Sequence, residues 1–190
     1  MVAKGFLQVS GEDFIETFSF VAKFTTLCVF LALATHLDYE IYQVDIITTY
    51  LQGDPDKEIY IKVPKSIEQF GSGSYYWKLQ KSLYRLKQAE RQWKKWLHEI
   101  LTNLKFICAF ANNCLYIKRE KGMIVLLVLV YVDDIAVASP NSIQIISFKS
   151  ALAKNFEIID LGKLKFMLGI LITHDHTKQL TYLNQSAYIH

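Results

Sequence analysis

From Met123 to Ala138 the chain is apolar apart from one interruption, the pair Asp133-Asp134. Valine, leucine and isoleucine dominate the run, and the β-branched ones favour a packed strand. Two adjacent carboxylates cannot be buried unpaired in such a strand, because desolvating each ion costs several kcal/mol. The pair must therefore sit at an exposed turn, pair with cations or bind metal. The economical solution is a hairpin, with a strand over 123–132, the carboxylates at the turn and a short strand over 135–138. At that tip the pair is exposed to water, matched by cations or bound to metal. Taken alone, it is also explained as an ordinary polar turn.

The rest of the chain supplies what such a hairpin packs against. Residues 21–37 place Phe24, Leu27, Cys28, Leu31 and Ala34 on one helical stripe. Residues 39–47 alternate as a strand, with Tyr42, Val44 and Ile46 on one face and Ile41, Gln43 and Asp45 on the other. Glu58 to Val63 alternates again after a Gly53-Asp54-Pro55 break, and Gly71-Ser72-Gly73-Ser74 reads as a turn. Trp93, Leu97, Ile100 and Leu104 recur at helical spacing over 90–104. Cys114 to Arg119 precedes a turn at Glu120-Lys121-Gly122. A helix over 142–156 has Ser142 as its expected N-cap, and a hairpin is expected through 165–173 and 179–183. Helices and strands mix without strict alternation, so the expected class is α+β.

Composition limits what such a chain does. It has 190 residues, 52% of them hydrophobic, enough for one domain or two small subdomains. The net charge of +3 does not by itself signal a nucleic-acid partner, so local clustering must carry that argument. Three cysteines without a CxxC pair, Cys28, Cys108 and Cys114, point to free thiols and a reducing compartment rather than a disulfide framework or zinc knuckle. The longest apolar run, Met123 to Val132, is half the roughly 20 residues a membrane helix needs. An intracellular protein, cytoplasmic or nuclear and not secreted, is the expectation.

A third carboxylate changes the reading of the pair. Asp45 lies late in the alternating strand, and if that strand pairs beside the hairpin, Asp45, Asp133 and Asp134 converge. Such a cluster repels itself unless divalent cations neutralise it, and magnesium favours a few carboxylates plus phosphates and water. Two such ions clamp the attacking and leaving oxygens of a phosphoryl transfer. Five residues on, Tyr50 is placed either to pack in the core or against a nucleotide sugar. Between Lys78 and Lys95 stand Lys78, Lys81, Arg85, Lys87, Arg91, Lys94 and Lys95, opposed only by Glu90 and interleaved with Tyr84, Trp93 and Trp96. Such a segment suits phosphate backbones, or is a solvated helix face over a Trp core. His174-Asp175-His176 has chelating residue types, but a metal site needs more ligands, and a surface turn is the expectation.

These residues together resemble a known family. Tyr131-Val132-Asp133-Asp134 is similar to the YxDD box of reverse transcriptases, and Asp45 with Tyr50 to their D-x-x-x-x-F/Y motif. Further segments resemble the copia-type retrotransposon branch in order: Val2 to Gln8, Glu16-Thr17-Phe18, Val21-Ala22-Lys23, Leu51 to Asp54, Glu58-Ile59-Tyr60, Leu83 to Ala89, Asp160-Leu161-Gly162 and Leu168-Gly169-Ile170. The resemblance implies an RNA-directed DNA polymerase domain with a palm, an antiparallel sheet with helices on one face, plus partial fingers and no thumb, over 1–190. It implies Asp45, Asp133 and Asp134 as catalytic ligands of two Mg2+ (or Mn2+) ions. Tyr50, Lys87 and Gln88 would contact the deoxynucleoside triphosphate. Lys78, Lys81, Arg91, Lys94 and Lys95 would contact the RNA template and DNA primer. No membrane is implied, and virus-like particles are one setting for such a domain.

Four positions depart from the family pattern: Arg85 stands for glycine, Glu90 for proline, Thr49 for alanine and Phe20 for proline. Glycine at the first lets backbone approach a ligand closely, whereas Arg85 brings bulk and charge. The metal triad is intact while its surroundings have drifted. The alternative is therefore a degenerate, non-catalytic remnant that at most binds nucleic acid. A fragment without a thumb is expected to polymerise little by itself.

Overall fold

The protein is described by a computed structural model that covers residues 3–47, 49–51, 53, 55, 57–63 and 76–186. The turn expected at Gly71 to Ser74 lies outside them, as do Gln52 and Asp54. In chain order the regular elements are α1 (Phe24–His36), β1 (Glu40–Ile46), β2 (Tyr60–Lys62), β3 (Tyr76–Lys78), α2 (Ala89–Asn103), β4 (Ile107–Ala109), β5 (Asn112–Glu120), β6 (Met123–Tyr131), β7 (Asp134–Ser139), α3 (Ser142–Ala153), β8 (Ile158–Lys163), β9 (Phe166–Met167), β10 (Ile170–Asp175) and β11 (Leu180–Asn184). The chain divides into two compact units, one of Met1–Ser19 with Thr48–Glu99 and one of Phe20–Ile47 with Ile100–His190.

In the first unit β2 and β3 pair antiparallel, Ile61 opposite Trp77. Its core joins Ala3, Ile59, Leu83, Leu86 and Ala89, with Tyr50, Leu51, Ile61 and Leu79 packed against them. The amino-terminal segment is fixed by the Ala3 amide, which donates to the Tyr84 carbonyl at 3.0 Å. It is also fixed by Gly5, which lies so close to the Arg85 carbonyl that a Cβ there would stand 1.8 Å away. Within α2, Trp93, Leu97 and Ile100 are buried as the spacing predicts, Leu101 is buried as well, and Leu104 lies just past the helix.

The second unit is built on a six-stranded antiparallel sheet in the order β4-β5-β6-β7-β1-β8. The apolar run folds as expected: β6 and β7 pair from Leu127–Ala138 to Tyr131–Asp134, leaving Val132 and Asp133 as a two-residue turn. One face of the sheet carries Leu115, Leu127, Leu129, Ala136, Ala138 and Ile41. It packs against Leu27, Phe30, Leu31 and Ala34 of α1 and against Met167, Ile170 and Ile172 beside them. The other face carries Tyr42, over whose ring the Lys149 ammonium of α3 sits at 4.5 Å. A sheet with all its helices on one face was expected. The strand alternation instead gives α1 the Ile41 face and α3 the Tyr42 face, because both faces of β6 are apolar and both need a cover.

Smaller differences have local causes. α3 is capped by Asn141, whose side-chain oxygen accepts from the Ile143 amide at 2.8 Å, and not by Ser142. Both residue types cap well, so the sequence alone does not separate neighbours. The expected 165–173 strand is split into β9 and β10 by Leu168 and Gly169, both with positive φ. Strands β3, β4 and β8 lacked a clear alternation and were not expected. Cys114 is buried, Cys28 and Cys108 are half-buried, and none of the three forms a disulfide. Among the described residues no helix is long and apolar enough to cross a membrane.

Candidate active site

Asp45 and Asp134 are direct partners in the antiparallel ladder of β1 and β7. Paired residues point to the same face, so both carboxylates lie on the Ile41 face, as does Tyr131, the ladder partner of Asp134 on β6. Asp133 occupies the turn between β6 and β7, and its carbonyl accepts from the Ile46 amide at 3.0 Å, which ties the turn to β1. All three aspartates are half-buried. The hairpin and the neighbouring strand thus meet as the sequence implied.

The electrostatics at Asp45 are unfavourable without a counter-ion. Burial pushes the Asp45 carboxyl above its usual value, and the charges of Asp134 and then Asp133 push it further. Like charges directly opposite across a ladder destabilise it. Gln43, two residues back on the same face of β1, donates its side-chain amide to Asp134 Oδ1 at 2.9 Å and partly relieves this. Sequence reasoning placed Gln43 on that face but gave it no role. Among the described residues only Asp38, His174 and His176 bring three ligand atoms within 4.8 Å of one another, so the aspartates stand wider apart than a closed metal cage. A half-buried carboxylate group with a raised carboxyl fits a divalent cation that neutralises it.

The turn is strained. Val132 has φ 53°, a left-handed backbone that a β-branched residue rarely adopts. Side-chain bulk at this position works against the conformation that presents Asp133, and the ladder on both sides holds it in place.

The remaining expected site residues belong to the first unit. Tyr50 is half-buried, its ring edge-on to Tyr84 with centroids 5.0 Å apart. Lys87 is exposed. Its ammonium donates to the Gln8 carbonyl at 3.2 Å and lies 5.0 Å from the centre of the Phe14 ring. Gln88 is fully buried. Its amide nitrogen donates to the Asp13 carbonyl at 3.1 Å, and its oxygen accepts from Gln8 at 3.2 Å. Gln88 therefore fixes the amino-terminal segment. Of the basic residues, Lys78 pairs with Glu58 and Arg91 with Glu16 at 2.5 Å, while Lys81 and Lys95 are exposed and Lys94 is half-buried.

The sequence profile of the family described as Reverse transcriptase (RNA-dependent DNA polymerase) matches residues 1–190. The Retrovirus-related Pol polyprotein from transposon TNT 1-94 of Nicotiana tabacum is 37% identical over 189 residues, covering 100% of this chain and 14% of the relative. The Pol polyprotein from transposon RE1 of Arabidopsis thaliana is 32% identical over 189 residues, covering 100% of this chain and 13% of the relative. That from transposon RE2 of the same plant is 32% identical over 170 residues, covering 90% and 12%. The chain thus spans about an eighth of the length of these three relatives. No solved structure matches it.

Proposed function

Because the chain belongs to the reverse transcriptase family of copia-type transposon Pol polyproteins, we propose that it carries the nucleotidyl-transfer site of an RNA-directed DNA polymerase. On this reading the second unit is the palm and the first supplies fingers. Asp45 and Asp133 hold two divalent ions, and Asp134 adds charge while Gln43 keeps it oriented. Two ions bound there lower the barrier for a primer 3′-hydroxyl to displace pyrophosphate from an incoming nucleotide. The supporting observation is the direct opposition of Asp45 and Asp134 beside the Asp133 turn, with the Asp45 carboxyl pushed up by burial and then by the other two.

Each remaining part has a matching task. Tyr50 screens the sugar against a 2′-hydroxyl, and Lys81, Lys94 and Lys95 meet backbone phosphates. Lys78 and Arg91 already have carboxylate partners and exchange them for phosphate when nucleic acid binds. Gln88 acts through Gln8 and Asp13 rather than on the nucleotide. The substrates are an RNA template, a DNA primer and deoxynucleoside triphosphates.

The test is RNA-templated primer extension with Mg2+ or Mn2+, by the chain alone and by the tobacco Pol polyprotein with this chain in place of its matching segment. Extension by the chimaera is expected, and Asp133→Asn should lower it by roughly a hundredfold or more. Extension that survives the Asp45→Asn/Asp133→Asn double variant overturns the site. The second reading, a non-catalytic remnant, is favoured by Arg85, which holds φ 71° where the family has glycine. Primer–template binding without extension by the chimaera selects it.

A further inference from the structure

His174 and His176 do not sit in a plain surface turn. Asp38 reaches them from the α1–β1 connection, and one ligand atom from each of the three falls within 4.8 Å of the others. The His176 Nδ1 lies 2.7 Å from Asp38 Oδ1 across 138 residues of sequence. The two imidazoles stack with centroids 4.1 Å apart and 29° between their planes. The chain neighbour Asp175 takes no part. Its carboxylate accepts from Thr177 Oγ1 at 2.7 Å and from the Lys178 amide at 3.1 Å, closing the β10–β11 turn. The sequence motif is read above as a surface turn, and Asp38 lies outside it.

Two further observations point to a ligand. The Nε2 of His174 is buried without a hydrogen-bond partner, although buried polar atoms are nearly always satisfied. On its other side, His176 has Nε2 3.5 Å from Glu40 Oε1, and Glu40 is itself held by Lys163 at 2.8 Å. A histidine with one nitrogen toward a ligand and the other toward a held carboxylate is the usual supporting arrangement of a metal-bound imidazole.

We propose that Asp38, His174 and His176 bind a transition-metal cation of the Zn2+ class, with water completing the coordination. Two imidazoles and a carboxylate suit zinc, and magnesium avoids such nitrogen-rich sets. Binding at His176 Nδ1 leaves the imidazole proton on Nε2, facing Glu40. The site is separate from the aspartate cluster. Asp38 precedes β1 and Asp45 is near its far end, seven residues on, which spans roughly 20 Å at strand rise. The bound ion ties the β10–β11 hairpin to the α1–β1 connection, next to the 2.6 Å contact between the Thr35 and Thr181 hydroxyls.

The test titrates the chelator-stripped chain with Co2+ in millimolar Mg2+, following visible absorption and the melting temperature. One equivalent of cobalt with the intense bands of four- or five-coordination is expected, displaceable by Zn2+, and melting should rise. His174→Gln and Asp38→Asn should each weaken binding by more than about tenfold, and Asp133→Asn should leave it unchanged. A wild-type chain with neither band nor melting shift overturns the site, independently of how any variant folds. So does a band that survives His174→Gln/His176→Gln, or one that Asp133→Asn removes, which would place cobalt on the aspartate cluster.

Discussion

Asp45 of β1 stands directly opposite Asp134 of β7, two carboxylates facing one another where the sheet would gain from an apolar or oppositely charged pair. The fold tolerates the pair at a cost, and its pH dependence reveals it. The Asp45 carboxyl is pushed above its usual 3.8 by burial and by its two neighbours. A carboxyl raised on folding binds its proton more tightly in the folded state. Its contribution therefore favours folding below the ordinary value and is lost as pH rises from 3.8 through the raised value.

Asp45→Asn should accordingly stabilise the protein at neutral pH, by about 0.5–1 kcal/mol, while removing divalent-dependent activity. Urea unfolding of both proteins between pH 3 and 8 checks this, the range being set by the usual carboxylate pKa of about 3.9. The curves should converge at the acid end and separate as pH rises. Adding Mn2+ should narrow the gap at neutral pH, because the ion relieves the same repulsion in the wild type.

Val132→Gly should also stabilise the chain. A β-branched residue at φ 53° is strained by about 1–2 kcal/mol, and glycine removes that strain while loosening the unfolded chain by up to about 1 kcal/mol. A net gain near 1 kcal/mol is expected from thermal or urea melts. The freed turn should hold Asp133 less firmly, so divalent affinity should fall as stability rises. If both rise together, Val132 does not constrain Asp133.

The hairpin and its carboxylates were legible because burying an unpaired charge is so expensive that Asp133-Asp134 favoured an exposed turn. The pairing of β1 beside β7 was legible only through the family likeness, since alternation shows that Asp45 lies on a strand face but not which strand lies beside it. The second helix layer escaped notice because Tyr42, Val44 and Ile46 read as one apolar face, whereas Ile41 begins another whose continuation is the polar Gln43 and Asp45. Asp38 could not be found as a partner of His176, because a contact across 138 residues leaves no local pattern. The positive φ of Arg85 was hidden by its side chain, and the only trace was the glycine that the family resemblance implies there.

That φ of 71° gives the Arg85 position a structural reason for glycine. The close approach there is made by Gly5, whose Cα faces the Arg85 carbonyl. Arg85→Gly should therefore stabilise the first unit by about 1 kcal/mol, whatever it does to activity. Gly5→Ala should destabilise it by about 1–3 kcal/mol, since a Cβ 1.8 Å from a backbone oxygen forces the amino-terminal segment away from Tyr84. Hydrogen exchange at the Ala3 amide, which donates to Tyr84, reads both: slower in the first variant and faster in the second.

Lys149 ties α3 to the sheet through two partners of different kinds. Its ammonium lies 2.5 Å from Asp160 of β8 and 4.5 Å from the ring centre of Tyr42 on β1. The lysine side chain is only 11% exposed, whereas that of Asp160 is 56% exposed, so solvent screens the ion pair and the ring contact survives loss of the charge on Asp160. The Lys149 hydrogen bond holds the Asp160 carboxyl below its usual 3.8, helped by the Gly162 amide. The sign is the reverse of that at Asp45: the contribution is complete above 3.8 and is lost as pH falls through the lowered value. Lys149→Met keeps the aliphatic packing and removes the charge. It should cost no more than about 1 kcal/mol at neutral pH, and it should flatten the acid limb of the stability curve. Asp160→Asn should flatten the same limb while keeping the lysine over Tyr42. If Lys149→Met destabilises equally at pH 3 and pH 7, values either side of the usual carboxylate pKa of about 3.9, the contact with Tyr42 rather than the ion pair holds α3 in place.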